Sequence, residues 1–375
     1  MSTLTQYNPQ QDLNDLLLAE GASKTVYALV TPETEAAKCA ILGNALSPQS
    51  IDRARAVYLE QFRDAWTGKQ EKIHNDFFDT WHAWSAPLVD LDRAQFPHIY
   101  PTAGASEPLR HLIADYGNVA RVENFTPRVH VFKGEYEGYK AYAEASKIEI
   151  VEHDRHDWQK IAADLPENEW FFFSQPSAID GNVWPHANQF TKAISERSNQ
   201  PRVIVDLTYV GAIPEQPSAK FDVNAACVRN VVFSLSKPFG VYYDRIGGVF
   251  ARDQDAGLFG NKWFKNLPAL QLGTALMQRH DVFDIPRRYR LLQIERAKTV
   301  GKKLGIQFQP SDVFMLATAQ PSANTDQRLT QYLSRPATGR LRLCLTPGMA
   351  DIIGTAGPMR ILIAQTEDFL NWSPS

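Results

Sequence analysis

One stretch of the chain, Val231 to Phe250 (VVFSLSKPFGVYYDRIGGVF), gathers residue types that do chemistry. An apolar run opens it. Ser234, Ser236 and Lys237 follow, then a Pro-Phe-Gly turn, two tyrosines, Asp244 and Arg245, and a second apolar run closes it. A lysine at the mouth of a buried strand loses hydration it does not recover without a partner, and this shifts it toward the neutral amine. A neutral amine attacks carbonyl carbon, so Lys237 is expected to hold an aldehyde as a Schiff base. The hydroxyls of Ser234 and Ser236 and the guanidinium of Arg245 can hold a phosphate dianion beside it, the arginine bidentately. The competing reading is a polar strand end carrying a surface Lys and Arg.

Three other stretches could serve the same site. In Thr102-Ala103-Gly104-Ala105-Ser106-Glu107, small residues before a helix let backbone N–H groups approach an anion, and Ser106 adds a hydroxyl; an ordinary helix cap is the alternative. In Phe132-Lys133-Gly134-Glu135-Tyr136, an aromatic after a strand can stack on a planar ring, or can simply cover the helix–sheet junction with Tyr139. In Val203-Ile204-Val205-Asp206-Leu207-Thr208-Tyr209, an acid ends an apolar strand. A buried carboxylate needs a partner, which a protonated pyridine nitrogen, a metal or a helix end would each supply. His74, His82, His130, His153 and His156 show no metal-ligand spacing, and VEHDRHDW around the last two reads as a surface loop.

Positioning these residues requires a scaffold, and its periodicities are legible. Candidate strands are Arg128–Phe132, Lys147–Val151, Trp170–Ser174, Val203–Leu207, Val231–Leu235 and Ile246–Ala251. Candidate helices Glu107–Tyr116, Glu137–Ala145 and Pro185–Arg197 fall between them. This alternation predicts an α/β layer on a mostly parallel sheet, whose ligands sit outside the carboxyl ends of strands. The candidate residues nearly all lie just after strands. Before residue 96 the chain reads as helical, over Asp12–Ala19 and Ile51–Trp66, with an aromatic-dense Phe77–Trp84 suited to core or to a dimer contact. After Asp253 come helices at Leu267–His280 and Ile285–Leu304. Short apolar runs at Phe314–Ala317 and Leu341–Leu345 and a final helix near Pro358–Gln365 complete a smaller α+β domain.

Composition excludes several classes. The 375 residues are 44% hydrophobic and 22% charged, enough for a full core. A formal net charge of −3 lacks the concentrated basic field of a nucleic-acid or anionic-membrane binder. No apolar run approaches roughly 18 residues and no signal peptide is visible. Cys39, Cys227 and Cys344 are few and far apart, which fits a cytoplasmic protein better than a disulfide framework.

The motifs GASE, GEYEGY, DLTY and SLSKPFGVYYDRIGG, in this order over roughly residues 100–250, resemble those of the fold-type-I pyridoxal-phosphate enzymes, in the class I/II aminotransferase branch. The resemblance implies a large domain over 96–282 with a mostly parallel sheet in an α/β/α layer. It also implies a small α+β domain over 283–375 packed with the helical segment 1–95, and a homodimer. By it, Lys237 holds pyridoxal 5'-phosphate and Asp206 pairs with the pyridine nitrogen. Tyr209 bonds the phenolic oxygen, and Tyr136 stacks on the ring. Gly104, Ala105, Ser106, Ser234, Ser236 and Arg245 form the phosphate site. An arginine on a C-terminal strand clamps the substrate α-carboxylate; in Gly339-Arg340-Leu341-Arg342-Leu343 both Arg342 and Arg340 fit and share a strand face.

Two departures touch the substrate side. The branch's Asn-Pro-x-Asn-Pro-(Thr/Ser)-Gly stretch appears as Gln175-Pro176-Ser177-Ala178-Ile179-Asp180-Gly181-Asn182, with Ala178 where an amide is usual and Asn182 or Ser177 as substitutes. The N-terminal Asn-Glu-Asn-Pro segment is not visible. Amino-group transfer is the leading reaction. Elimination, replacement or cyclisation of a substituted amino acid is the second reading, for which Asp12, Asp15 and Glu20 would meet a basic side chain. A Ser-x-x-Lys hydrolase would need Ser-Asp-Asn and Lys-Thr-Gly partners that the chain lacks, and a regulator would need a basic helix-turn-helix that is not evident.

Overall fold

A computed structural model describes residues 9–42, 70–264, 266–323 and 325–356. The expected helices at Ile51–Trp66 and near Pro358–Gln365 lie outside the described residues.

The large sheet contains β1 (His98–Ala103), β2 (Arg128–Phe132), β3 (Glu149–His153), β4 (Trp170–Ser174), β5 (Arg202–Asp206), β6 (Val228–Ser234) and β7 (Ile246–Ala251), in the order β1-β7-β6-β5-β4-β2-β3. Neighbours from β3 to β6 run parallel, and β7 runs antiparallel to both β6 and β1. Strand β4, Trp-Phe-Phe-Phe-Ser, is buried along its whole length, the pattern of a parallel strand covered on both faces. Strand β1 escapes a sequence reading because Pro101 interrupts it. Proline cannot donate to a ladder, and β1 lies at the sheet's edge, paired with β7 alone. Strand β3 begins beyond the expected Lys147, because that residue takes a left-handed turn (φ 58°) after the preceding helix.

The helices are α1 (Pro9–Ala19), α2 (Pro32–Leu42), α3 (Glu71–Ser85), α4 (Ser106–Glu123), α5 (Glu137–Ala145), α6 (Trp158–Asp164), α7 (Ala187–Ser195), α8 (Ser236–Phe239), α9 (Leu267–Arg279), α10 (Asp284–Leu304), α11 (Gln327–Leu333) and α12 (Thr346–Ala356). Helix α4 buries Leu109, Leu112, Ile113, Tyr116 and Ala120, one stripe at helical spacing, and stops where Asn124 turns left-handed (φ 58°). The aromatic-dense stretch is core: on α3, Trp81 stacks on Phe233 at 4.3 Å and Phe78 meets Phe250 edge-on at 4.9 Å. Burying each such ring stabilises by about 1.5–3 kcal/mol. Helix α3 therefore belongs with the large sheet, against α9, where Gly273 leaves room for Phe77.

A 4-stranded antiparallel sheet holds β8 (Gln309–Pro310), β9 (Leu316–Ala319), β10 (Ser334–Arg335) and β11 (Arg340–Cys344), ordered β8-β9-β11-β10. Under it the fully buried amide of Gln293, on α10, donates to the carbonyls of Ser311, Val313 and Leu316. The strap following α1 docks here: Ser23 and Cys344 exchange backbone bonds of 2.9 and 2.8 Å, and Gly348 N–H donates to Gly21 O at 2.8 Å. The N-terminal segment thus divides, its first part going to the small sheet and α3 to the large one. His153 is on β3 rather than in a surface loop, 2.7 Å from His130, which in turn meets Glu169. Burial pulls both imidazoles down, His153 to about 4.

Candidate active site

The parallel strands β4, β5 and β6 end side by side, with Ser174 opposite Asp206 and Asp206 opposite Val232. Their carboxyl ends open into a cleft of about 340 Å³ between the two sheets. Ala105, Ser106, Tyr136, Asp206, Tyr209, Ser234, Ser236, Lys237, Arg245 and Arg342 all line it. Four separate motifs therefore converge because each follows a strand of one sheet.

Asp206 is 5% exposed and accepts from Thr208 N–H at 2.9 Å, from the Thr208 hydroxyl and from Tyr139 Oη at 3.2 Å. Burial nevertheless raises its pKa, and among the described residues no cation pairs with it. Lys237 is the second residue of the short helix α8, and its Nζ donates to Val26 O at 2.7 Å. Burial, helped by Arg342 and Arg245 and opposed by Cys344, lowers the amine to about 8. The approach of the strap depends on Gly240 (φ 67°), where a Cβ would stand 2.2 Å from Leu29 O.

An anion cradle lies beside the lysine. Ser234 Oγ donates to Ser236 Oγ at 3.0 Å, and Ser106, at the start of α4, lies 3.3 Å from Tyr136 Oη. Arg245 adopts φ 54° and donates to Ala103 O at 2.8 Å. Gly104 does not itself line the cleft but is required behind it: at φ 74°, a Cβ there would sit 2.6 Å from the Arg245 guanidinium. Tyr136 is 40% exposed at the mouth, edge-on to Tyr139 at 5.7 Å.

The opposite wall comes from distant segments. Arg342 is 7% exposed and donates to Ala178 O and, at 3.3 Å, to Lys24 O, while its Nε has no hydrogen-bond partner among the described residues. Lys24, Thr25, Val26, Glu135 and Arg335 complete this side, and none had a sequence signal of its own except Glu135, which sits inside GEYEGY. Glu135 is fully enclosed, accepts from Ser174 N–H at 3.1 Å and Ser174 Oγ at 2.6 Å, and is pushed up to about 7 by burial.

Several expected residues are elsewhere. Arg340 is outside the cleft; although it shares the Arg342 face, it sits at the strand's start beside the Thr338 turn. Asn182 does not replace the amide missing at Ala178: its Oδ1 accepts from Asp312 N–H at 3.0 Å. Ser177 is also committed, accepting from Arg155 at 3.0 Å in a turn that the Arg155–Asp180 ion pair (2.8 Å) closes after a cis Gln175-Pro176 bond. Asp12 and Asp15 are exposed on α1 and Glu20 pairs with Lys303, so none faces the cleft. Trp184, two residues after Asn182, packs in the aromatic core with Phe132 and Phe190.

Residues 123–283 match the family model described as aminotransferase class I and II. No curated protein matches the sequence. Among solved structures, the fold resembles a Sinorhizobium meliloti histidinol-phosphate aminotransferase in complex with pyridoxal-5'-phosphate (TM-score 0.60, 12% identity, 95% of this chain and 100% of that one). It also resembles YbdL from Escherichia coli, reported with a methionine aminotransferase function (TM-score 0.59, 14% identity, 94% and 99%). A third likeness is substrate-bound BacF from Bacillus subtilis (TM-score 0.58, 14% identity, 98% and 96%). At these identities the likeness to solved structures is one of fold.

Proposed function

We propose that the chain is a pyridoxal-phosphate-dependent enzyme of fold type I, in the class I/II aminotransferase-like branch, and that it moves an amino group between an amino acid and a 2-oxo acid. The observation that carries this reading is the placement of the depressed amine of Lys237, the buried acid of Asp206 and the buried guanidinium of Arg342 around a single cleft. The residues fit the cofactor. Asp206 lacks a cation that a pyridinium would supply, the missing Cβ of Gly104 leaves room for the Arg245 guanidinium at the cleft, and Lys237 is the amine for an aldehyde carbon.

Pyridoxal phosphate supplies, when bound, a ring that accepts electron density from the substrate's Cα. The rest falls to the protein. Asp206 holds the proton on the ring nitrogen and is itself fixed by Thr208 and Tyr139. Ser106, Ser234, Ser236 and Arg245 would hold the cofactor's phosphate, and Tyr136 and Tyr209, which line the same cleft, would hold its ring. Arg342 orients the α-carboxylate so that the Cα–H bond faces Lys237, whose amine, near neutrality at about 8, takes and returns the proton. The strap at Lys24–Val26 excludes water from that side.

The reading carries with it a homodimer, a division near residue 282 and a cytoplasmic setting. The free, buried Cys227 and Cys344 support the last of these. A panel of amino acids offered to the holoenzyme tests the reaction. Cofactor converted to its amine form, with a 2-oxo acid released, is the expected result. Ammonia or a cyclised product with the aldehyde form retained would replace transfer by elimination or cyclisation.

A further inference from the structure

One buried acid of the cleft has no part in the steps above. Glu135, on the loop that leads β2 into α5, stands where the two walls meet. A single residue holds it: Ser174 N–H donates to its Oε1 at 3.1 Å and Ser174 Oγ to its Oε2 at 2.6 Å. Arg155, whose charge reaches it, is paired with Asp180. Ala178 lines the same wall with a methyl group alone, since its N–H goes to Ser174 Oγ at 2.6 Å and its carbonyl accepts from Arg342. Asp206 at the end of β5, Tyr209 just after it, Tyr139 on α5 and Arg155 after β3 all lie within electrostatic reach of Glu135. Lys24, Glu137, Lys237, Arg335 and Arg342 share the cleft with it. Burial pushes the acid up to about 7, with the Ser174 bonds opposing the rise and the charge of Asp206 adding to it.

A buried carboxyl without a cation costs least when it keeps its proton, and the protonated form carries an O–H that needs an acceptor. Ser174 N–H can only donate, and Ser174 Oγ already accepts from Ala178, so the acceptor falls to what fills the cleft. On a pyridoxal ring the nitrogen and the phenolic oxygen share one edge, separated by the carbon that bears the methyl group. Resting on the cofactor placement of the proposed function, we propose that Glu135 is a further catalytic residue, whose carboxyl O–H donates to the phenolic oxygen of pyridoxal phosphate on the wall where Ala178 has no polar side chain. A neutral acid in that place draws charge from the oxygen and keeps the ring an electron acceptor. Its carboxylate form would repel the same oxygen.

The test compares pyridoxal 5'-phosphate with 3-deoxypyridoxal 5'-phosphate, which lacks only the phenolic oxygen, binding to full-length apoenzyme, read by calorimetry. The aldehyde and phosphate are common to both ligands, so their contacts cancel in the ratio of affinities. Well below the midpoint of about 7, Glu135→Leu should cut the parent's preference for pyridoxal phosphate roughly tenfold, the worth of one hydrogen bond to a charged oxygen. Glu135→Gln, a neutral donor of the same shape, should keep most of it. As pH rises through about 7 the parent loses its donor, so its preference should fall relative to that of Glu135→Gln, which has no such proton to lose. A Glu135→Leu apoenzyme with an unchanged preference, even one that binds both ligands more weakly, makes Glu135 a structural residue and overturns the proposal. So does a Glu135→Gln enzyme whose preference follows pH as the parent's does. A parent apoenzyme that takes up neither ligand overturns the cofactor placement as well. Turnover is not the readout, so the two readings fail separately. If no amino acid converts the cofactor but the preference follows Glu135, amino transfer falls and the donor stands.

Discussion

Where Asp206 meets its neighbours, both carboxylate oxygens are engaged, one by Thr208 two positions away and the other by a tyrosine on a neighbouring helix. Across the cleft, the Nε and one Nη of Arg335 and the Nε of Arg342 are buried without a hydrogen-bond partner among the described residues. One wall is built from short motifs at the ends of adjacent strands and is internally satisfied apart from the charge that, in the proposed function, Asp206 keeps for the ring nitrogen. The other is assembled from the strap, the turn at Ala178 and the small sheet, and it is left cationic. A site that always holds the same group can be pre-satisfied around it. One that must accept and release a substrate keeps its polar groups open, at a cost in stability that substrate binding offsets.

Four experiments would break or sharpen this contrast. The largest effect is expected from Lys237→Ala, which should abolish the absorbance band near the visible edge and lower turnover by at least roughly 10²–10⁴-fold, the worth of a positioned proton carrier. An unchanged band would detach the lysine from the cofactor. Next, Arg342→Gln should lower kcat/KM by roughly 30- to 4,000-fold, and Arg342→Lys should not restore it, because an ammonium cannot reproduce the planar fork. If both variants keep wild-type kinetics, the small sheet does not supply the anchor.

A smaller loss should come from Gly104→Ala. Its positive φ and the proximity of Arg245 make a Cβ cost about 1–2 kcal/mol, so apoenzyme titrated with cofactor should bind about tenfold more weakly. The smallest effect links the walls. Capture of the aldehyde by apoenzyme needs the neutral amine, so its rate should rise with pH through about 8 and level above it. Arg342 contributes to holding Lys237 below its ordinary value, so Arg342→Gln should move that midpoint upward by a fraction of a unit. A midpoint near 10 in the parent enzyme would mean that the amine is solvated.

How much could be read beforehand follows the same division. Asp206, Ser234, Ser236 and Lys237 were legible because a buried strand followed at once by a polar cluster is a local pattern, and a parallel sheet brings its strand ends together. Thr208 lay inside those motifs but carried no separate mark, and Tyr139 was legible only as cover for the helix–sheet junction. Arg335 and Lys24 were invisible: nothing in LSRPATG or ASKTV distinguishes them from surface cations, and only packing makes them neighbours of Arg342. Arg340 and Arg342 share a face, so alternation left them equal; distance along β11 from the cleft separates them. The missed strand β1 shows the limit of propensity, since proline argues against a strand everywhere except where an edge excuses it.

The clasp between Ser23 and Cys344 has a consequence for how the molecule comes into being. Arg342 reaches the carbonyl of Lys24 from 318 positions along the chain. During synthesis, the large sheet can finish while the ribosome is still making the small one, but the strap has no edge to join until the last strand emerges. Nascent protein should therefore pass through a form able to take up the coenzyme yet blind to its substrates. A polypeptide ended before Arg340 would be arrested there permanently, a point that limited digestion of the strap, compared with the intact chain, would reveal.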